Sequence, residues 1–283
     1  MTVVWGLVLF IWLPDDVISA KRFTLDEKAL LIARGRLART GILNKTVKLY
    51  QIKEALRDPQ VWLLAMMLLL NEIINGGLSS FGKLILKDVA KDPIRTVALG
   101  VPGRVFAIAF ILSGMWLASN LPNFRMHVMA LYNIPTIVGI SLLWKLDRAT
   151  HQIGLLFAYY IMSGYIVPMF LGMQMPATNL GGYTKRTTGS VIVFMAYCAG
   201  NIAGPHAFRG NEAPLYPTGC KVVIACSIAQ IVLAYALRAL LSRRNKQRDK
   251  AAIEQGLSES ALAVSNDRTD FEVCFGERLM MLL

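Results

Sequence analysis

The side chains with the most chemical capacity lie where an apolar chain has least use for them. The string "LLLNEIINGGLSSFG" (residues 68–82) sets Asn71, Glu72 and Asn75 within about one helical turn, with Asn71 and Asn75 stacked at i, i+4 on one face. A second string, "YCAGNIAGPHAFRGNEAPLY" (residues 197–216), places Asn201 between Gly200 and Gly204, then Pro205, then Arg209 and Glu212. In oil, amides can bind an anion or tie one helix to another, and a carboxyl can also take up and release a proton. Charge in such surroundings costs a few kcal/mol on insertion scales, so these groups turn toward a bundle interior or a water-filled cavity. Glu72 is therefore the candidate for proton coupling, with a structural carboxyl bonded to a neighbouring helix as the alternative. Gly76 and Gly77 mark a place where the helix can loosen and release carbonyls to a ligand. Gly200 and Gly204 form a small-xxx-small pair that admits a second helix closely, and Pro205 frees a carbonyl one turn earlier, so that segment reads as a closely packed helix able to bend. Gln174 and Asn179 flank Pro176 and can line a gate or cap a broken helix. Arg104 lies about two turns into its apolar block, within snorkelling distance of headgroups, where it anchors the helix or touches a substrate.

The remaining repertoire excludes most soluble chemistry. There is no P-loop, GxGxxG or HExxH string, and His127, His151 and His206 are scattered. Cys198, Cys220, Cys226 and Cys274 include no CxxC pair, which suggests neither a zinc site nor a disulfide framework. The expectation is a chain that is not an enzyme and that needs no metal or cofactor.

The elements that must position these groups follow from hydropathy. Of 283 residues, 55% are hydrophobic and 17% charged, against about 25% charged in soluble domains. The apolar residues are gathered into six blocks, at about 61–82, 97–118, 126–144, 152–175, 187–208 and 220–241, each near the roughly 20 residues that a helix needs to cross a bilayer. With no water for backbone amides and little alternation, these blocks must be helices. The fold class is an all-α membrane protein with a six-helix transmembrane bundle over 61–241. The shorter block "VVWGLVLFIWL" reads as the end of a preceding helix, a remnant over 1–13. Residues 14–60 read as a loop with two amphipathic helices. One opens on the capping box Thr24 and Glu27 and closes on Gly41; the other, "TVKLYQIKEALRDP", ends at Pro59 and suits the headgroup layer or a solvated linker. Residues 242–283 read as a largely disordered tail. The formal charge is +12, and counting alternate sides puts nineteen Lys/Arg with the 14–60 loop and the tail against eight opposite. That asymmetry predicts a cytoplasmic loop and C-terminus and argues against a nucleic-acid partner; it also leaves the Asn44 sequon unused.

Five stretches carry a resemblance: "YCAGNIAGPHAFRGNEAPLYPTG", "LLNEIINGGLSSFGKLI", "GYTKRTTGSVIVF", "GMWLASNLPNFR" and "GILNKTVKLYQIKEALRDPQVWLL". Together they resemble the fungal allantoate permease family, anion:cation symporters of the major facilitator superfamily, and the likeness runs from about Phe10 to Leu241. It implies the C-terminal half of a major facilitator fold, with proton-coupled uptake of a small organic anion such as an allantoate- or vitamin-like carboxylate by alternating access, in the plasma membrane rather than the vacuole. The partners so implied are the lipid bilayer, the anion, a proton and a missing N-terminal six-helix half. Asn75 and Asn201 match the family pattern and are its implied pathway residues, with Asn179 next; Arg209 and Glu212 match as outer gate candidates. Glu72, Arg104 and Asn120 depart from the pattern, as does the chain after about Asn266. Two other readings stay open: a truncated remnant that moves nothing, and a six-span scaffold or channel subunit that oligomerises through the Gly200 and Gly204 face.

Overall fold

The computed structural model describes residues 2–12, 20, 23–37, 47–90, 92–121, 124–146, 150–213 and 215–254. Among them the secondary structure is helical throughout: α1 (Thr2–Trp12), α2 (Leu25–Leu37), α3 (Leu49–Arg57), α4 (Pro59–Ala90), α5 (Pro93–Asn120), α6 (Arg125–Lys145), α7 (Gln152–Ile161), α8 (Ile166–Asn179), α9 (Tyr183–Ala203) and α10 (Pro217–Glu254). Short 3-10 turns join α7 to α8 and follow α9. Among the described residues, six apolar helical stretches are long enough to cross a membrane: Pro59–Gly82, Ile94–Asn120, Arg125–Lys145, Gln152–Asn179, Tyr183–Ala207 and Pro217–Gln247. Each contains the core of one block expected from hydropathy.

The interior is stacked in three levels. At one end Leu64, Leu68, Met126, Met129, Leu171, Met175 and Leu237 form an apolar cluster. At the other, Ile74, Leu78, Ile140, Leu143, Leu155, Phe208 and Val223 form a second. Between them every helix that feeds both clusters carries buried polar side chains: Asn71 and Glu72 on α4, Asn133 and Thr136 on α6, Ser227 and Gln230 on α10. A polar stratum midway along the spans is thus held between two layers of aliphatic packing that resist its displacement.

The fourth span is interrupted at this level. Met162–Tyr165 forms a 3-10 turn, the Met162 carbonyl accepts from the Thr136 hydroxyl at 3.2 Å, and Gly164 lies against α6 so closely that a Cβ there would meet the Tyr132 carbonyl oxygen at 2.6 Å. The break lies about three helical turns before Pro176, which instead sits within the last turns of a continuous α8; the expected break at Pro176 is corrected to residues 162–165. Pro176 has no N–H to give the Gly172 carbonyl, so it removes one bond of the ladder without ending α8.

Three further expectations change. Helix α4 runs unbroken through Gly76 and Gly77, and these glycines seat a neighbour instead: Cβ atoms there would lie 2.6 Å from the Asn201 backbone oxygen and 2.5 Å from the Phe208 ring. Gly200 and Gly204 are the other half of the same contact, with Cβ positions 2.5 Å from the carbonyl oxygens of Leu69 and Ile73. The small-residue face is therefore used inside the chain, between α4 and α9, and is not open for oligomerisation. Finally, α10 continues to Glu254, so the first part of the expected disordered tail is helical; "RRNKQRDKAAIE" is rich in residues with high helix propensity. Residues 255–283, Gly41, the Asn44 sequon and Cys274 lie outside the described residues.

The capping box is present as expected. The Thr24 backbone N–H donates to Glu27 Oε2 at 2.9 Å and the Glu27 N–H to Thr24 Oγ1 at 3.4 Å. Helix α1 contains no buried residue, and neither end of it is fixed by core packing.

Candidate functional site

The polar stratum converges on one carboxylate. Glu72 is fully buried, and its Oε2 accepts from Asn201 Nδ2 at 2.7 Å and Asn75 Nδ2 at 2.9 Å, while Oε1 accepts from Asn71 Nδ2 at 3.4 Å. The outer ends of the network fix which way the amides face. Gln230 Nε2 donates to the Met67 carbonyl at 3.2 Å and to Asn71 Oδ1 at 2.9 Å, which turns the Asn71 NH2 toward Glu72. Asn201 Nδ2 also donates to the Tyr197 carbonyl at 3.1 Å, which leaves Asn201 Oδ1 to accept from Asn75 Nδ2 at 3.1 Å. The Tyr165 hydroxyl donates to Asn75 Oδ1 at 3.1 Å. The Met67 and Tyr197 carbonyls, which only accept, and the Tyr165 hydroxyl on Asn75 therefore orient the three asparagines so that their donors point at the one acceptor that carries a charge.

The site has an inner and an outer side. Glu72, Asn71 and Gln230 are buried, whereas Asn75, Asn201 and Tyr165 are partly exposed. Helix α4 supplies Asn71, Glu72 and Asn75 from about one turn, α9 supplies Asn201 because the paired glycines let it approach, α10 supplies Gln230, and the 3-10 turn in the fourth span delivers Tyr165. Gln230 Oε1 and, one turn away on α10, Ser227 Oγ are buried without a hydrogen-bond partner among the described residues, as is Asn133 Oδ1 on α6.

Of the residues singled out from sequence, Asn71, Glu72, Asn75 and Asn201 are brought together. Asn179 is not: it ends α8 at the level of the loop, where its backbone oxygen accepts from Gln60 Nε2 at 3.5 Å. Gln174 is exposed on α8 and also lies outside the cluster. Gly200 and Gly204 pack α9 against α4, and Pro205 opens the 3-10 turn that ends α9. Glu212 caps α10, accepting from the Thr218 N–H at 2.9 Å and hydroxyl at 2.6 Å, bonds that hold its carboxyl below the usual carboxylate range. Arg209 is exposed beside it. Tyr165 and Gln230 escaped the sequence reading; the signal available for Gln230 was a lone amide in the apolar run "CSIAQIVLAYAL".

No family model matches the chain, and no solved structure matches it. Curated proteins do. An uncharacterized transporter of Schizosaccharomyces pombe is 30% identical over 94% of this chain and 52% of its own length. The allantoate permease of Saccharomyces cerevisiae is 30% identical over 96% of this chain and 51% of its own length. The relatives at about 30% identity over about nine-tenths of the chain are thus fungal MFS-type transporters, an allantoate permease among them. An MFS-type transporter of Penicillium expansum is 29% identical over 89% of the chain and 52% of its own length, so the chain spans about half the length of the curated relatives it matches. Its six apolar spans make up half of a major facilitator fold, and it is an integral, multi-pass membrane protein. The relatives are named as transporters and permeases, not enzymes.

The end of the bundle where α4 begins holds a second buried cluster. Lys185, fully buried at the start of α9, places its Nζ 2.9 Å from Glu54 Oε1 and 2.9 Å from Asp58 Oδ2. Arg244 on α10 reaches Asp58 Oδ1 at 2.9 Å and Gln60 Oε1 at 3.2 Å. Burial alone pushes the Asp58 carboxyl up, but the Lys185 ammonium and the Arg244 guanidinium outweigh it and hold the carboxyl below the ordinary aspartate value. This cluster fastens α3 and the start of α4 to α9 and α10.

Proposed function

We propose that the chain forms one six-helix half of a proton-coupled permease for a small organic anion, working with a second six-helix bundle, and that the Glu72 network is where proton and anion are coupled. The observation that carries this reading is the way two partly exposed amides, Asn75 and Asn201, each give one N–H to Glu72 and the other to a neutral oxygen. When Glu72 is ionised, its charge occupies those donors and repels an anion. When it takes up a proton, its oxygen still accepts, but the charge-assisted bonds from Asn75 and Asn201 weaken to ordinary ones. Each amide can then give that N–H to an anion while keeping its second partner, and no donor is left unsatisfied before the anion arrives. Proton uptake thus removes the repelling charge and supplies two donors in a single step.

The basic excess at the α3 end supports placing that end in the cytoplasm, and the plasma membrane is the location proposed from the family resemblance. Tyr165 stands beside Asn75 on the same outer side and supplies a hydroxyl to the same pathway.

Uptake of radiolabelled allantoate and related carboxylates, in cells lacking their own permease, tests the reading. The chain is expressed with the other six-helix half of a homologous permease and separately by itself. Accumulation is expected only with both halves present, and only under a proton gradient. Glu72→Gln in the paired form is expected to abolish uphill accumulation while retaining downhill exchange of anion. If Glu72→Ala leaves accumulation unchanged, the carboxyl is structural; if no pairing yields uptake, the chain is a remnant that moves nothing.

A further inference from the structure

Outside the transport pathway, the loop side of the bundle carries an open cleft of about 480 Å³ lined by Tyr50, Lys53, Glu54, Arg57, Pro59 and Arg244. Helix α3 builds it by dividing its two faces. Gln51 and Ala55 are buried toward α9, while Tyr50, Lys53 and Arg57 recur at i, i+3 and i+7 on the side that opens to the cleft. Within the cleft, Glu54 is engaged by Lys185 and Arg244 by Asp58. Lys53 and Arg57 have no ion-pair partner among the described residues and are exposed. The cleft's unbalanced charge is therefore two cations.

Its depth is set by Pro59, which is both a wall of the cleft and the first residue of the first membrane-crossing stretch. The surroundings are those of a membrane surface: Leu49 is 78% exposed, Leu56 49% and Trp62 53%, and the Trp62 indole N–H donates to the Leu56 carbonyl at 2.8 Å. Exposed leucines and a polar-tipped tryptophan at the start of a span are at ease in the headgroup layer and costly in open water. A soluble protein partner would have to cover these apolar groups at the same depth as the acyl chains, whereas a lipid does so by being in place.

We propose that this cleft is a binding site for the headgroup of an anionic phospholipid, its phosphate seated between Lys53 and Arg57 with the Tyr50 hydroxyl at hand, and its acyl chains entering the bilayer beside Leu56 and Trp62. Arginine matches phosphate oxygens by its planar fork and lysine by point charge. The site is independent of whether the chain transports anything, because it uses no residue of the Glu72 network.

Native mass spectrometry of the full 283-residue chain, with phosphatidylserine or phosphatidylcholine titrated into the same detergent, measures it. Phosphatidylserine is expected to be retained in preference to phosphatidylcholine. The pair Lys53→Gln and Arg57→Gln should weaken phosphatidylserine binding on the order of thirty-fold, from about five-fold per cation at an anionic surface. The charge-keeping pair Lys53→Arg and Arg57→Lys should retain most of it, and Lys145→Gln, at the opposite end of the bundle, should change nothing. Equal retention of the two lipids, or unchanged binding in the neutralised pair, overturns the proposal. Displacement of the lipid by inorganic phosphate at equal concentration also overturns it, since that would mark a site for a free anion.

Discussion

The two buried polar clusters differ in how their charge is compensated. At the mid-level, Glu72 is a single negative charge surrounded by neutral donors, three side-chain amides whose dipoles converge on it. At the loop end, Lys185 lies between two carboxylates and Arg244 shares one of them, so the compensation is charge for charge. A carboxylate held by dipoles can lose its charge without stranding a counter-ion. In the second cluster, neutralising any one member leaves a buried opposite charge, which costs far more than the pair contributes. The first arrangement is suited to change state during a cycle and the second to remain fixed while neighbours move.

Breaking the fixed cluster should have the largest effect. Lys185→Met leaves Glu54 without its cation and Asp58 with Arg244 alone, and is expected to cost about 3–5 kcal/mol in unfolding free energy, read by thermal unfolding in detergent. Acid should expose the same linkage in the unaltered chain. The folded Asp58 carboxyl titrates below its unfolded value, so its contribution is complete above about pH 4 and is lost as pH falls through the folded value. The Lys185→Met chain, already short of that contribution, should show a shallower acid dependence below that point. An equal slope in both would mean that Arg244 alone holds Asp58 and that Lys185 is not part of the latch.

The seam that brings the two regions' helices together should respond next. A methyl at Gly200 would lie 2.5 Å from the Leu69 carbonyl oxygen and 2.6 Å from Glu72 Cβ, contacts that only a shift of α9 from α4 can relieve. Gly200→Ala is expected to cost about 1–3 kcal/mol and, because α9 carries Asn201, to reduce uptake in the paired permease as well. Gly210→Ala, where no atom stands within 4 Å, provides the matching control and should leave both unchanged. If Gly200→Ala lowers stability but not uptake, the distance from Asn201 to Glu72 does not limit transport.

Much of this architecture was legible, and the reasons divide by distance along the chain. The six spans could be read because hydropathy is a local property of about 20 residues, and the amides of α4 because polar groups in an apolar run are conspicuous one at a time. The pairing of Gly200 and Gly204 with a second helix was legible as a capacity, but not the identity of its partner, since that depends on how α4 and α9 rotate against each other. Lys185 was read as one more positive charge on the loop side; its burial depends on Glu54 and Asp58, more than 120 residues earlier in the chain. Tyr165 became part of the site only through the 3-10 turn that contains it; Pro168, one turn on, has no N–H to give the Gly164 carbonyl, and the close Gly164 contact with α6 and the Thr136 hydroxyl hold the turn. Where sequence reasoning assigned chemistry to Pro176, Gly76 and Gly77, it followed residue type; the structure uses those residues near a helix end and as a seat for α9.

The smallest effect should come from the inner rim of the mobile-charge cluster, and it is also the sharpest test of how that cluster is oriented. Gln230 touches Glu72 only through Asn71, donating to both the Met67 carbonyl and Asn71 Oδ1. Gln230→Leu therefore removes a donor but no charge, and a net cost of about 1 kcal/mol is expected. If Gln230 acts by holding the Asn71 amide toward Glu72, the effect of Asn71→Leu should be largely spent once Gln230 is gone, and the double variant should cost less than the two single changes added together. Additive costs would mean that Asn71 keeps its orientation without Gln230. The donor geometry around Glu72 would then be set by α4 and α9 alone, with α10 contributing packing and nothing to the arrangement of the charge.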